Sequence, residues 1–225
     1  MGLGADQLEA LAECIDLVNT GRRSLAGSSD EADELADVRG VIAFARRFRV
    51  ENRSAVRATD APRLRELRAR LDAIVVACEA GREERAIRAL NTLLAETGAV
   101  PRIVAHDGRP PHIHVSSATA PLADRIAAHS AMGLAELIVA GESSRVRTCA
   151  SPQCDLAFLD LSRNQSRRYC DSRTCGNRIH VAAYRSRQSA AVSPVEVSPP
   201  AASRAAPASP AEVSPAEVSR AALGR

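Results

Sequence analysis

Four cysteines near the C-terminal end constrain the fold most tightly: Cys149-x4-Cys154, an interval of fifteen residues, then Cys170-x4-Cys175. Each pair is short enough for one turn to aim both sulfurs at a single ion, and tetrahedral zinc takes four such ligands at about 2.3 Å. Ser151-Pro152 suits a tight bend in the first turn. Gly176 follows the last ligand, where backbone can approach the sulfur and donate a hydrogen bond. Four thiolates leave no open coordination position, so the expected zinc is structural rather than catalytic. The same residues would also serve a redox switch that releases zinc on oxidation. These cysteines lie among Arg, Ser and Asp, whereas Cys14 and Cys78 fall on or beside apolar helix faces and read as core. A segment of this size has too small an apolar core to fold alone, so metal supplies most of its stability. Phe158, Leu161 and Ile179 are its expected packing residues.

The rest of the 225-residue chain reads as helical. Hydrophobic residues make up 45% of the sequence and aromatics only 2%, with no Trp, so the core must come from Leu, Ile, Val and Ala. Apolar positions Leu8, Leu11, Ile15 and Val18 predict a helix over 6–18 that stops at Asn19-Thr20-Gly21. A second is predicted over 33–49, with Leu35, Val38, Ile42 and Ala45 on one stripe. A third follows Thr59-Asp60, with Pro62 in its first turn and Leu64, Leu67, Leu71, Ile74, Val75 and Cys78 inward, ending at Gly81. Ile87, Leu90, Leu93 and Leu94 give a fourth, closed by Gly98 and Pro101. Arg102–His106 and His112–Val115, separated by Asp107-Gly108 and two prolines, predict a β-hairpin. Pro121 opens a last long helix through Leu122, Ile126, Met132, Leu137 and Ile138 to Gly141.

The expected organisation is therefore mainly α: a helical domain over 1–142 with a small β-hairpin insert, a four-cysteine zinc finger over 145–187, and a disordered tail over 189–225. The tail is rich in Ala, Ser and Pro and repeats a Glu-Val-Ser theme at 196–198, 212–214 and 217–219, too polar to pack. Residues 1–12 match neither a signal nor a transit peptide, and no run of about 18 uncharged apolar residues occurs, so no membrane span and a cytoplasmic location are expected.

Charge is distributed unevenly. Residues 145–187 hold nine Arg against three Asp, a net of +6 within a chain whose total is +3, so the remainder carries −3. All thirty basic residues are Arg, and compositional bias accounts for part of that usage. Bias does not explain their concentration in one segment. A short helix expected to begin near Gly176 places Arg178 and Arg185 seven residues apart, about 10 Å along one face, comparable to a major groove about 12 Å wide.

Cys149…Cys154, Phe158, Asp160-x-Ser162-Arg163-Asn164, Ser166-Arg167-Arg168-Tyr169-Cys170 and Cys175-Gly176-Asn177-Arg178 together resemble the CGNR zinc finger, and Ile15-Asp16-Leu17-Val18-Asn19-Thr20 resembles the opening motif of the ABATE domain that accompanies it. The resemblance covers about residues 8–187. It implies a bacterial, stress-induced transcription regulator with the finger as the DNA-binding element. Tyr169 stands where the family commonly has Trp, and His180 where it commonly has Lys; Tyr keeps a flat ring with a polar tip, while His leaves the phosphate contacts to Arg. The expected DNA-contacting residues are Arg163, Asn164, Arg167, Arg168, Asn177, Arg178, Arg185 and Arg187.

The resemblance leaves the helical domain the role of sensing a small-molecule effector. His112 and His114 share a strand face, with His106 opposite, which offers a ligand or metal site as well as the plainer reading of polar surface. No nucleophile–base pair, Gly-rich phosphate loop or HExxH motif occurs, so an enzyme is not expected. Two readings remain: a DNA-binding regulator, or a zinc-stabilised protein-interaction module whose Arg face meets an acidic partner.

Overall fold

A computed structural model describes residues 4–22, 33–47, 56–105, 108, 110–117 and 119–191. The body is built from α1 (Ala5–Asn19), α2 (Val38–Arg47), α3 (Asp60–Glu79), α4 (Glu83–Thr97) and α5 (Leu122–Val139), with the antiparallel strands β1 (Arg102–Val104) and β2 (His112–His114) between α4 and α5. The predicted inward face of α3 is buried at all six positions, Leu64, Leu67, Leu71, Ile74, Val75 and Cys78. Helix α3 packs on α4 and α1, α4 on α5, and α5 on α1. At the α1–α5 crossing a Cβ on Gly133 would come within 2.8 Å of the Ala10 methyl, so glycine lets the two backbones close up. Gly98 ends α4 in the left-handed conformation, φ 59°.

Two elements depart from the periodicity reading. Helix α2 starts at Val38, because the Asp37 carboxylate accepts the Arg39 and Gly40 amides and caps the helix there. Leu35 is buried from the preceding turn, and the inward residues become Val41, Phe44 and Ala45 in place of Val38 and Ile42. In α4, Ile87 is 40% exposed, and Ala86 fills its expected place in the core.

The C-terminal segment comprises β3 (Val146–Thr148) paired antiparallel with β4 (Ala157–Leu159), a wide π-helical turn at Ser172–Gly176, and α6 (Asn177–Ala191). The β3–β4 hairpin, which the sequence reading missed because its connecting turn was read only as a cysteine-ligand turn, lies against α1 and α3. Its Val146 and Ala157 belong to the same buried cluster as Leu17, Leu71 and Leu137. The hairpin thus completes the core of the body, although it lies beyond the 1–142 bounds expected for the helical domain. Helix α6 runs on to Ala191, past the expected tail boundary at 189; residues 192–225, and His106, lie outside the described residues.

Candidate metal centre and nucleic-acid face

Two backbone turns build the cysteine cluster. At the tip of β3–β4 the Cys149 amide donates to Leu156 O at 2.9 Å, extending the ladder, and the Cys154 amide donates to Ser151 O at 3.0 Å, closing the bend that carries the first two sulfurs. The second pair flanks the π-turn. Asp171 caps it by accepting the Arg173 amide at 2.8 Å, and the wide turn swings Cys175 back toward Cys170. The Cys170 amide donates to Cys149 Sγ at 3.5 Å and the Ala150 amide to Arg168 O at 2.9 Å, tying the two turns together. Gly176, expected to donate to a sulfur, donates instead to Asp171 O at 3.0 Å.

The four sulfurs lie within 4.8 Å of one another, with Cys154–Cys170 at 3.7 Å and Cys170–Cys175 at 3.6 Å. Sulfurs at about 2.3 Å from a tetrahedral zinc ion stand about 3.8 Å apart, so the observed spacings fit that ion. Burial, aided by the neighbouring sulfurs, pushes the Cys170 and Cys175 thiols above the ordinary value; burial acts the same way on Cys149, but the amides and thiols that donate to it outweigh burial and leave it below. Deprotonating all four together therefore calls for a cation at their centre. Cys14 and Cys78 behave as core: burial raises their thiols to about 12 and about 11.

Residues 145–188 match the CGNR zinc finger family, and residues 11–141 match ABATE, described as "Putative stress-induced transcription regulator". The chain belongs to the ABATE family. It matches no curated protein. The family match and the four clustered cysteines assign Zn2+ to the finger, and Cys149, Cys154, Cys170 and Cys175 are the residues that would hold it.

Asp160, fully buried, organises the loop between the cysteine pairs. One carboxylate oxygen accepts the Ser162 amide at 2.9 Å and hydroxyl at 2.6 Å; the other accepts the Arg167 amide at 2.9 Å and the Arg147 guanidinium at 3.4 Å. Burial alone would raise its pKa, but these donors outweigh burial and hold it below the ordinary carboxylate value. Arg147 continues to the carbonyls of Gln165 and Arg167, both at 3.0 Å. The Asp-x-Ser part of the finger motif is thus a folding device that leaves Arg163 and Asn164 exposed at the loop tip.

The expected DNA-contacting residues divide by environment. Arg167 is committed to the finger: its guanidinium lies 5.1 Å from the Phe158 ring centroid and donates to the carbonyls of Tyr169 and Cys170. Arg168 stacks over Tyr169 at 5.9 Å. Asn177, Arg178, Arg185 and Arg187 lie exposed on α6, whose main packing partner is the π-turn at its start. At 100° per residue, Arg178 and Arg185 share one flank of α6 and His180 and Arg187 the other, with Val181 and Tyr184 between them at 46% and 56% exposure. The two departures from the family pattern touch: the Tyr169 and His180 rings meet edge to face, centroids 6.5 Å apart. Leu161, expected to pack, is 59% exposed; Phe158 is buried and Ile179 half-buried.

Periodicity alone missed the residues that seat the finger on the body. The Asn19 side chain donates to Ala157 O at 3.0 Å and accepts the Ala157 amide at 2.8 Å, pairing with β4 as a strand neighbour would. Arg22 bridges Asp72, at 2.6 Å, to Thr148 Oγ1 and Asp155 O. Glu79 accepts both the amide and the hydroxyl of Thr148. The only sequence signal was the Asn-Thr pair closing the ABATE motif.

Proposed function

We propose that the protein is a cytoplasmic, DNA-binding transcription regulator of a stress response, a binding protein rather than an enzyme, in which α6 and the Arg163–Arg168 loop of the CGNR finger meet DNA. The observation that carries this reading is α6 itself: an exposed helix with Arg on both flanks, anchored at its first turn to a zinc-held π-turn. Zinc fixes the direction in which the helix leaves the finger, which positions its side chains on a duplex before binding. The ABATE body takes the effector role. In support, a cleft of about 460 Å³ lies between α1, α3 and the finger hairpin, lined among others by Val18, Arg22, Arg68, Asp72, Thr148 and Asp155. A small molecule there would compete for the Arg22 contacts that seat the finger.

The exposed Val181 and Tyr184 favour the second reading, a protein-interaction module, on the same helix. Gel-shift titration on duplex DNA flanking the protein's own gene separates the two, repeated across salt concentrations and with a chelator. Regulator behaviour is salt-steep, chelator-sensitive binding. Arg178→Ala and Arg185→Ala should each reduce the salt slope by about 0.9 if they contact phosphate, or cost about 1–3 kcal/mol at selected sequences if they contact bases. Arg167→Ala is unsuited to the test, because it removes finger packing. A zinc-loaded protein without salt-dependent affinity for any duplex would leave the interaction module in its place.

A further inference from the structure

The β1–β2 hairpin carries a pair of adjacent imidazoles, outside the finger. His112 and His114 sit two apart on β2, so both rings project from one face of the hairpin, and both are half-buried. Their Nε2 atoms are 3.1 Å apart, with ring centroids at 4.9 Å and planes inclined by 61°. Two imidazoles bound to one ion at about 2.0–2.1 Å hold their nitrogens roughly 3.0–3.4 Å apart, so this spacing is that of adjacent ligands on a single metal.

His112 is also set in the required tautomer. Its Nδ1 lies 2.9 Å from Pro110 O, and a carbonyl only accepts, so Nδ1 carries the hydrogen and Nε2 keeps its lone pair. A backbone carbonyl on the far nitrogen is the arrangement that orients ligating histidines generally. We propose that His112 and His114 bind a second divalent transition-metal ion of the class imidazole favours, such as Zn2+ or Ni2+, with water completing its coordination. In the metal-free state His114 Nε2–H donates to His112 Nε2 across the same gap; on metal binding His114 takes the other neutral tautomer, its hydrogen passing through solvent from Nε2 to Nδ1, so that both Nε2 lone pairs face the ion. Arg102 faces His114 in the strand register, with its guanidinium donating to Ser116 O at 3.1 Å. Its charge makes this site weaker than the four-cysteine centre, so metal added in excess fills it second.

The test is calorimetric titration of Zn2+ into full-length protein already carrying one equivalent, in a non-coordinating buffer. The expected result is a second binding event, weakened about ten-fold or more by His112→Ala and by His114→Ala and unchanged by His180→Ala, a histidine outside the hairpin. Cadmium-113 resonances of protein loaded with two equivalents provide the companion measurement. One signal should fall in the thiolate range and one in the nitrogen–oxygen range, and only the second should vanish in His114→Ala. Retention of the thiolate signal shows that the variant remains folded. No uptake beyond one equivalent, uptake that survives the double variant, or loss of the second event in His180→Ala would each overturn the proposal.

Discussion

The ABATE body and the CGNR finger hold themselves together by opposite means. The body is a continuous apolar cluster from α1 through α5, with Leu11, Leu64, Leu71 and Leu134 sealed from solvent. Beyond its hairpin, the finger has three buried sulfurs, the partly buried Cys170 with Leu156 and Tyr169, and the Asp160 hydrogen-bond hub. Hydrophobic burial is non-directional and tolerates approximate shape, whereas metal ligation and charged hydrogen bonds demand position. The contrast teaches why so many exposed Arg side chains sit on the finger: its own scaffold occupies little of its surface, leaving Arg163, Arg178, Arg185 and Arg187 outward.

The largest break in that comparison should come from the metal. Cys170→Ser, or chelation of wild type, removes an interaction worth on the order of 10 kcal/mol. Zinc content should fall from one equivalent per chain to near zero, and near-ultraviolet circular dichroism should show loss of the Tyr169 environment. Wild type prepared without added zinc but holding under half an equivalent, or unchanged metal in Cys170→Ser, would remove the site.

Leu71→Ala attacks the other side. It opens a cavity in a fully buried position and should cost about 3 kcal/mol in denaturant unfolding while the folded protein keeps its zinc equivalent. Metal loss in the native state of this variant would show that the two regions are not held by separate means.

The junction gives an intermediate effect. Asn19→Ala removes two hydrogen bonds and leaves the buried Ala157 amide and carbonyl without them, a cost of about 2 kcal/mol. It should raise hydrogen exchange in β3–β4 and lower the melting temperature without changing zinc content. Exchange unaltered in the hairpin would mean that apolar burial and the Arg22 and Glu79 contacts seat the finger without Asn19.

The smallest effect belongs to the body. Burial lowers the His129 pKa, but the Glu13 hydrogen bond at 2.8 Å, with the charges of Glu13, Glu9 and Asp6, outweighs it and leaves the pKa raised. The folded state therefore binds this proton more tightly than the unfolded chain does. Its contribution is complete below the unfolded value of about 6.5 and is lost as pH rises through the folded value. Melting temperature should fall across that interval in wild type and change less in His129→Gln; equal slopes would contradict the pairing.

Much of this was legible in order along the chain. Six inward positions of α3 follow from helical periodicity, because a helix repeats its core contacts every three or four residues. The four zinc ligands follow from spacing, because each pair shares one turn. All four strands have three residues, too few to show alternation; β1 and β2 were legible from the Asp-Gly and proline turn between them, whereas the turn between β3 and β4 read only as a cysteine-ligand turn, and the α2 start that the Asp37 cap decides was not legible either.

By itself, then, the sequence determined the helices of the body, the ligand set and the Arg-rich character of the finger, since all three depend on residues near one another in the chain. Only the tertiary structure decided that Asn19 pairs with Ala157 across 138 positions, that Val146 completes the body's core, and that Arg167 serves the finger's packing while Arg178 faces solvent. Local pattern fixes which side of an element is apolar. Which distant backbone a polar side chain meets depends on how the elements are brought together, and no local spacing encodes it.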